Sequence, residues 1–336
     1  MGLAEGSLPK ISIIVASFNN ETTIEECLRS LLAQDYPQSF LEIIVMDGVS
    51  RDSTVKKAEA FPVKVISIPL NAPAAYNYAM KIAKHPILGF VDSDAKVESQ
   101  WLRKLIPHLA ESKVAGVSGS IETWNTDNPW ARNIGYELKN RYRRIGKYAG
   151  RIATMNLLLK RTVIEEAGGW PEDMPSQYDT ELGYRISGKG YRVCYEPAAV
   201  CYHYNRPTLH AYYRQQLQYG KNTLRLYLKH GSLAKGDEIT DIGMNIQPVL
   251  LLAFFASLLF GIIPLLRLLW YISAAIVAFL LFYYAVSAGK LSTRFAEAST
   301  WRLVVLYFVR SWAWFVGAIA VSLNYLFGDR RKKLLA

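Results

Sequence analysis

In the first part of the chain, short apolar runs alternate with amphipathic stretches. "ISIIVA" (11–16), "LEIIVMD" (41–47), "VKVISI" (63–68) and "ILGFVD" (87–92) read as strands. Between them, residues 21–33 place Ile24, Cys27, Leu28, Leu31 and Leu32 at helical spacing, and further helices are predicted from 53 and over 72–83. Continuously apolar strands separated by helices predict a parallel sheet covered on both faces. Ligands bind such sheets at the carboxyl ends of the strands. Those ends carry Ser17, Asn19, Asp47, Asp92 and Asp94, so three strands deliver polar groups to one edge.

The pattern then loosens. Strands are predicted over 114–122 and 152–160, with a basic surface helix from 130 between them. A Gly-rich loop, an acid-bearing helix over 178–187, a Gly turn, a strand and a helix over 208–229 follow. Beyond residue 241 charge almost disappears. The stretches 248–266, 268–288 and 303–327 are each 19 to 25 residues long and show no polar face. Such lengths cross the ~30 Å of a bilayer core as helix. The chain therefore divides into a catalytic-sized domain (1–230), with interfacial helices near 130–147 and 208–230, and a membrane domain (231–336) with helices near 245–263, 267–288 and 303–327.

The net charge of +11 raises nucleic acid as a partner, but its placement argues against one. Basic residues gather at 139–151, 214–229 and 330–333, the second cluster just before the first apolar helix, where they suit anionic headgroups. Cys27, Cys194 and Cys201 show no metal-ligand spacing, and the opening "MGLAEGSLPK" has no apolar signal core. Both features predict a multi-pass protein of the cell membrane with a cytosolic catalytic domain. Lys290, Arg294 and Arg302 would return the 289–302 segment to the cytosolic face, leaving "DRRKKLLA" outside, against the positive-inside rule.

"SIIVASFNN", "EIIVMDGVSRDST", "FVDSDA" and "YDTELGYRISGKGYRVCYEP" stand in the order and spacing that resemble family-2 glycosyltransferases. "RQQLQYG" resembles a degraded Gln-x-x-Arg-Trp element of cellulose-synthase-like members. The resemblance implies an α/β catalytic domain of the GT-A fold (a Rossmann-like mixed sheet), an inverting transfer from a nucleotide sugar, and Mn2+ or Mg2+ as cofactor. It implies that Asp47 meets the base, that Ser17 to Asn19 line the same pocket, and that Asp52 is a second acid of it. In this chain Gly48 replaces an acid of the usual motif. It further implies Asp94 as metal ligand, with Asp92 on the ribose or metal and His203 as a third ligand. In an extended chain residues i and i+2 share a side, so Asp92 and Asp94 are expected to address one ligand set. Asp179 falls on the position of the base that takes the acceptor proton; a helix cap is its plain structural alternative, as it is for Asp52.

On the acceptor side, Trp170 matches a loop residue that could stack on a sugar or belong to the core. Gln215, Gln218 and Tyr219 fall on the Gln-x-x-Arg-Trp positions, and the loss of Arg and Trp there implies a single addition. Arg310 stands inside the third apolar run, about 10 Å from its start by helical rise. An intramembrane Arg is costly. It is expected to snorkel to the interface and face a lipid phosphate, with Arg143 or Arg144. The expected acceptor is a polyprenyl (dolichyl) phosphate or lipid-linked glycan. The plan resembles archaeal membrane mannosyltransferases of dolichol-linked N-glycan assembly, which implies GDP-mannose as donor. A small processive polysaccharide synthase and a non-catalytic membrane scaffold are the alternatives. A sugar nucleotidyltransferase would need a Gly-rich phosphate loop, which "SFNN" is not.

Overall fold

The protein's computed structural model describes residues 8–334, with side chains to Phe327. The opening segment 1–7 and the side chains of the basic 330–333 cluster lie outside the described residues. Nine strands are present among the described residues: β1 (Ile11–Ser17), β2 (Leu41–Asp47), β3 (Lys64–Ser67), β4 (Ile87–Phe90), β5 (Ala95–Val97), β6 (Val114–Thr123), β7 (Tyr148–Ala149), β8 (Leu157–Lys160) and β9 (Arg192–His203). The longer helices are α1 (Ile24–Leu32), α2 (Thr54–Ala58), α3 (Ala72–Ile82), α4 (Trp101–Leu105), α5 (Pro129–Tyr142), α6 (Arg161–Glu166), α7 (Tyr178–Gly188), α8 (Leu209–Lys229), α9 (Ile242–Phe260), α10 (Leu269–Arg294) and α11 (Thr300–Leu334).

The strands form one sheet in the order β3-β2-β1-β4-β8-β6-β9-β5, with β7 on β9. β1 to β4 are parallel, as the alternating pattern predicts. β8 runs antiparallel to both β4 and β6, so the whole sheet is mixed rather than parallel. β8 also begins at Leu157, later than the predicted 152, because residues 154–156 take a 3-10 turn. Alternation along β1 supplies both faces: Ile11, Ile13 and Val15 pack with α1, while Ile14 packs with Tyr76, Ala79 and Met80 of α3. At Gly119 a Cβ would sit 2.0 Å from the Ala199 carbonyl oxygen, so only glycine lets β6 approach β9 there.

The contacts divide the chain into two units, Met1–Trp124 with Tyr142–Tyr204, and Asn125–Arg141 with Asn205–Ala336. The expected boundary near 230 is thereby moved: α5 and α8 group with the apolar helices. Three helices of the second unit are long and apolar enough to cross a membrane, Ile242–Phe260, Leu269–Arg294 and Thr300–Phe327. A turn at 261–266 joins the first two, and α10 runs six residues past its predicted end, to Arg294. α8 and α11 meet backbone to backbone. A Cβ on Gly220 would lie 2.5 Å from Trp314 Cα, and one on Gly317 2.8 Å from the Leu217 carbonyl.

Arg310 corrects the snorkelling expectation. Its side chain is buried, pairs with the Glu137 carboxylate of α5, and lies 5.1 Å over the Tyr307 ring. Arg141 holds the same carboxylate from 3.1 Å. Burial alone would push the Glu137 carboxyl up, but the Arg141 and Arg310 guanidiniums outweigh it and hold it below its ordinary value. A charge neutralised in this way inside its own unit has no need of a lipid phosphate. Replacing Glu137 by Ala strands Arg310 in the bundle, and should cost about 3–5 kcal/mol in reversible unfolding of the detergent-solubilised protein. The double change Glu137→Gln with Arg310→Met should recover part of that loss, because the buried Arg310 charge goes with its partner and only the part-exposed Arg141 loses a bond.

Candidate active site

A cavity of about 560 Å³ opens at the carboxyl ends of the parallel strands, within the first unit. That volume suits a small ligand of nucleotide-sugar size. Ala16, Ser17 and Phe18 at the end of β1, Met46 and Gly48 at the end of β2, Leu70 to Ala72 leading into α3, and Asp92, Ser93 and Asp94 after β4 line it, with Tyr76 and Tyr178 as aromatic walls. α3 starts where it does because Asn71 accepts a capping bond from the Ala74 amide at 3.0 Å and Pro73 fits its first turn.

The acid pair is held in a turn. The Ala95 amide bonds the Asp92 carbonyl at 2.9 Å, so residues 92–95 fold back instead of running extended, and the expected i, i+2 alignment does not apply. Asp92 accepts from Thr154 Oγ1 at 3.0 Å and from the Tyr76 hydroxyl at 3.5 Å. Burial, and then the neighbouring Asp94 carboxylate, raise its carboxyl to about 6. Asp94 lies 3.4 Å from His203 Nε2, at the end of β9. β5 carries the register that brings them together, since Ala95 pairs with His203.

These groups fit a hard divalent ion in a specific, partial way. Asp94 and His203 supply one oxygen and one nitrogen, Asp92 adds nearby negative charge, and no group of three or more His, Cys, Asp or Glu forms a complete cage among the described residues. A Mg2+- or Mn2+-type ion takes one or two carboxylates and completes its shell with phosphate oxygens and water.

Three expected pocket residues tie together the loops beside the cavity. Asp47 is buried, accepts from the Ser50 amide and Ser67 Oγ at 2.8 Å each, and also holds Ser50 Oγ. Both of its oxygens are engaged, so it ties the 48–50 loop to β3 instead of presenting a free carboxylate to a base. Asn19, at a φ of 54°, gives its amide to Ser50 Oγ and accepts from the Arg51 amide, each at 2.8 Å. Asp52 accepts from the Thr54 amide at 3.0 Å and the Glu21 amide at 3.1 Å. Together they lock the loop after β1 to the loop after β2. Val49 stands at a φ of 65°, a conformation a β-branched residue adopts only when its surroundings impose it. The buried Ser17 residue lines the cavity, and its hydroxyl has no hydrogen-bond partner among the described residues.

Asp179 sits in the first turn of α7, whose N-cap position is Gln177, so the cap alternative does not hold. Its Oδ1 accepts from the Thr180 amide at 2.7 Å. Burial pushes its carboxyl above the ordinary value, opposed by that amide and by the Arg151 guanidinium. It directly follows Tyr178, which lines the same cavity as Asp92 and Asp94. Trp170 is a core residue: it is 2% exposed, with ring centroids 5.0 Å from Tyr76 and 4.9 Å from Phe90, and offers no face to a sugar. Gln215, Gln218 and Tyr219 lie on α8 in the second unit; the side chain on that stretch that grips the bundle is Gln216, whose Oε1 accepts from Trp314 Nε1 at 3.0 Å. Arg143 and Arg144 are exposed between α5 and β7.

Sequence reasoning missed Asn20, Tyr76 and Thr154. Asn20 Oδ1 accepts from Ser93 Oγ at 2.9 Å and so fixes the acid turn to the β1 loop. Its place in "SFNN" was a signal, whereas nothing in the sequence marks Thr154 as a partner of Asp92.

Residues 12–166 match the family described as Glycosyl transferase family 2. Over that stretch the chain carries a family-2 glycosyltransferase domain with the GT-A fold. It is 24% identical over 230 residues to the glycosyltransferase AglE of Haloferax volcanii, covering 66% of this chain and 75% of that one. It is 28% identical over 240 residues to the probable glycosyltransferase YdaM of Bacillus subtilis, and 24% over 235 residues to a Staphylococcus aureus poly-beta-1,6-N-acetyl-D-glucosamine synthase. It spans 57% and 56% of the lengths of those two relatives. Among solved structures it shares its fold with the mannosyltransferase PcManGT from Pyrobaculum calidifontis, in complex with GDP-Man and Mn2+. The TM-score is 0.60 at 20% identity, covering 95% of this chain and 89% of that one.

The brace role of Asp47 has a direct test. Ser67→Ala leaves the carboxylate in place but removes one of the two bonds to its Oδ2, the Ser50 amide keeping the other, and should raise the donor KM several-fold while lowering stability by about 1–2 kcal/mol. If Asp47 instead contacted the base directly, Ser67→Ala would leave the donor KM unchanged in steady-state kinetics.

Proposed function

We propose that the protein is an inverting, metal-dependent hexosyltransferase that moves mannose from GDP-mannose onto a polyprenyl or dolichyl phosphate, or onto a glycan linked to one. The observation that carries this reading is that Asp92 and Asp94 line one cavity, with His203 Nε2 3.4 Å from Asp94 and Asp179 next in sequence to the lining Tyr178. Mannose and GDP come to the proposal from the ligand of the Pyrobaculum structure and from the family resemblance.

In this reading the nucleotide enters the cavity between Phe18 and Leu70, with Ser17 Oγ donating to it. Asp94 and His203 would hold a divalent ion, which when bound neutralises the charge that develops on the diphosphate leaving group. Asp92, kept in place by Thr154, stands at the ribose or beside that ion. Asp179 takes the acceptor proton as the acceptor oxygen attacks the anomeric carbon and the C–O bond to the diphosphate breaks. A carboxyl held above its ordinary value suits that work, because it binds a proton more readily. An acceptor phosphate, already ionised, would lean on it less.

Three helices long and apolar enough to cross a membrane support an acceptor held in a bilayer; in this reading the catalytic domain is cytosolic and the basic residues of α5 and α8 meet anionic headgroups. The Staphylococcus relative keeps a processive synthase in view. The altered positions at Tyr219 and Gln218 favour one addition per binding event over many.

The test is a donor panel against membrane lipid extract, with each divalent ion and with a chelator. GDP-mannose with Mn2+ or Mg2+ should give a single mannosyl adduct on a lipid phosphate, and chelation should abolish it. Asp94→Ala and Asp179→Asn should each lower kcat by roughly 10²–10⁴-fold on a hydroxyl acceptor. The acid limb of the kcat profile should fall above the ~3.9 of an ordinary Asp, since Asp179 must be deprotonated and its carboxyl is raised. Full activity of Asp94→Ala, or long polymer from one binding event, would sink the reading.

A further inference from the structure

Tyr178 lines the cavity of the first unit, yet no step of the proposed transfer uses it. It is the first residue of α7 and stands next to Asp179. Gln177 before it is held at a φ of 63°, a left-handed conformation that a residue with a side chain adopts under local constraint. Thr180 Oγ1 donates to Gln177 Oε1 at 3.1 Å across that turn.

The Tyr178 ring is also fixed from its own helix face. Residues 178, 181 and 185 follow one another at helical spacings of three and four and share a side of α7. Glu181 is fully buried, and its carboxylate lies 3.4 Å from Arg185 Nε. Arg185 in turn donates to the Ala167 and Gly169 carbonyls at 2.6 and 2.7 Å. This clasp holds that side of α7 to the turn that carries Trp170, whose ring centroid is 5.9 Å from that of Tyr178. The Tyr76 ring lies 6.0 Å away by the same measure, and its hydroxyl donates to Asp92 Oδ1 at 3.5 Å. Trp170 and Tyr76 meet the Tyr178 ring at 72° and 60°, so neither is stacked on it face to face. Tyr178 is half-buried and forms part of the cavity wall.

The order of groups around the cavity assigns that wall a ligand. Ser17, Phe18 and Gly48 stand at the ends of β1 and β2, Asp92 and Asp94 after β4, and Tyr178 at the start of α7. With the diphosphate at the acid pair and the acceptor proton going to Asp179, the hexose lies between those two groups, beside Tyr178. A pyranose ring presents C–H groups of partial positive charge, and the face of a phenol ring is partially negative. We infer that the Tyr178 ring is the platform against which the transferred hexose packs, so that it binds the sugar and not the nucleotide. The inference rests on the proposed nucleotide-sugar donor and adds what holds its sugar. A ring fixed before the donor arrives loses little freedom on binding, so more of the contact is realised as affinity.

The test is calorimetric titration of the full-length, detergent-solubilised protein with Mn2+ and two ligand pairs, GDP-mannose against GDP and UDP-glucose against UDP. Within the pair that the wild type binds, Tyr178→Met should raise Kd for the sugar nucleotide about tenfold and leave Kd for the free nucleotide within about twofold. Methionine fills the volume without a ring face, and an unchanged nucleotide Kd shows that the cavity is intact. Tyr178→Phe keeps the ring and should raise the sugar-nucleotide Kd no more than about threefold. Equal losses for nucleotide and sugar nucleotide in the Met variant, or no loss for the sugar nucleotide, would overturn the platform. A loss as large in Phe as in Met would assign the contact to the hydroxyl and overturn it as well. Binding of the UDP pair alone would overturn GDP-mannose as donor, while the ratio within that pair still decides the role of Tyr178. Binding of neither pair would overturn both.

Discussion

Two negative charges share a buried turn at the end of β4, and the first unit is organised around tolerating them. Asp92 and Asp94 lie two residues apart in a fold-back, so their repulsion cannot be relieved by turning the side chains to opposite faces. The protein meets the problem with partial means. Thr154 and Tyr76 donate to Asp92, and His203 stands against Asp94. The residual effect is visible in Asp92, whose carboxyl is raised to about 6 by burial and by Asp94. A structural turn would gain nothing from such crowding, because two neutral side chains would cap the strand more cheaply. The same excess of negative charge makes physical sense where a cation and a diphosphate arrive together, since the ion then has ligands on both sides.

The loops around the acid pair are correspondingly rigid. Asn19, Asp47 and Asp52 each bond neighbouring backbone or hydroxyl groups. Sequence reading took them for ligand contacts because a polar residue at a strand end looks the same whether it faces the cavity or the wall behind it. Which way it faces depends on partners 20 to 34 positions away, such as Ser67 for Asp47 and Thr54 for the Asn20 amide. Periodicity carries no information about such partners. It does carry the strands themselves, and so the parallel half of the sheet and the edge at which the site forms were legible. β8 was not, because a four-residue apolar run entering from a 3-10 turn gives no sign of its direction.

Arg310 shows the same limit inside the second unit. A lone Arg in an apolar run is correctly read as costly, but the sequence does not say what bears the cost. Glu137 lies 173 positions earlier on a helix whose own pattern is that of a basic surface element. Once the two meet, the pair is a registration device: the carboxylate fits only where both Arg141 and Arg310 reach it, which fixes α5 against α11 at one rotation.

The registration matters for what the bundle leaves open. α11 is held to α5 through Arg310 and to α8 through Gly220 and Gly317, two turns apart along one helix. Ser311 adds a third tie, bonding both Gln247 of α9 and Tyr284 of α10. A helix pinned at three points cannot rotate to close a gap next to any of them. The groove beside Ala318 and Ser322, between α8, α9 and α11, therefore persists as a built feature and not as a packing accident that a small shift would erase.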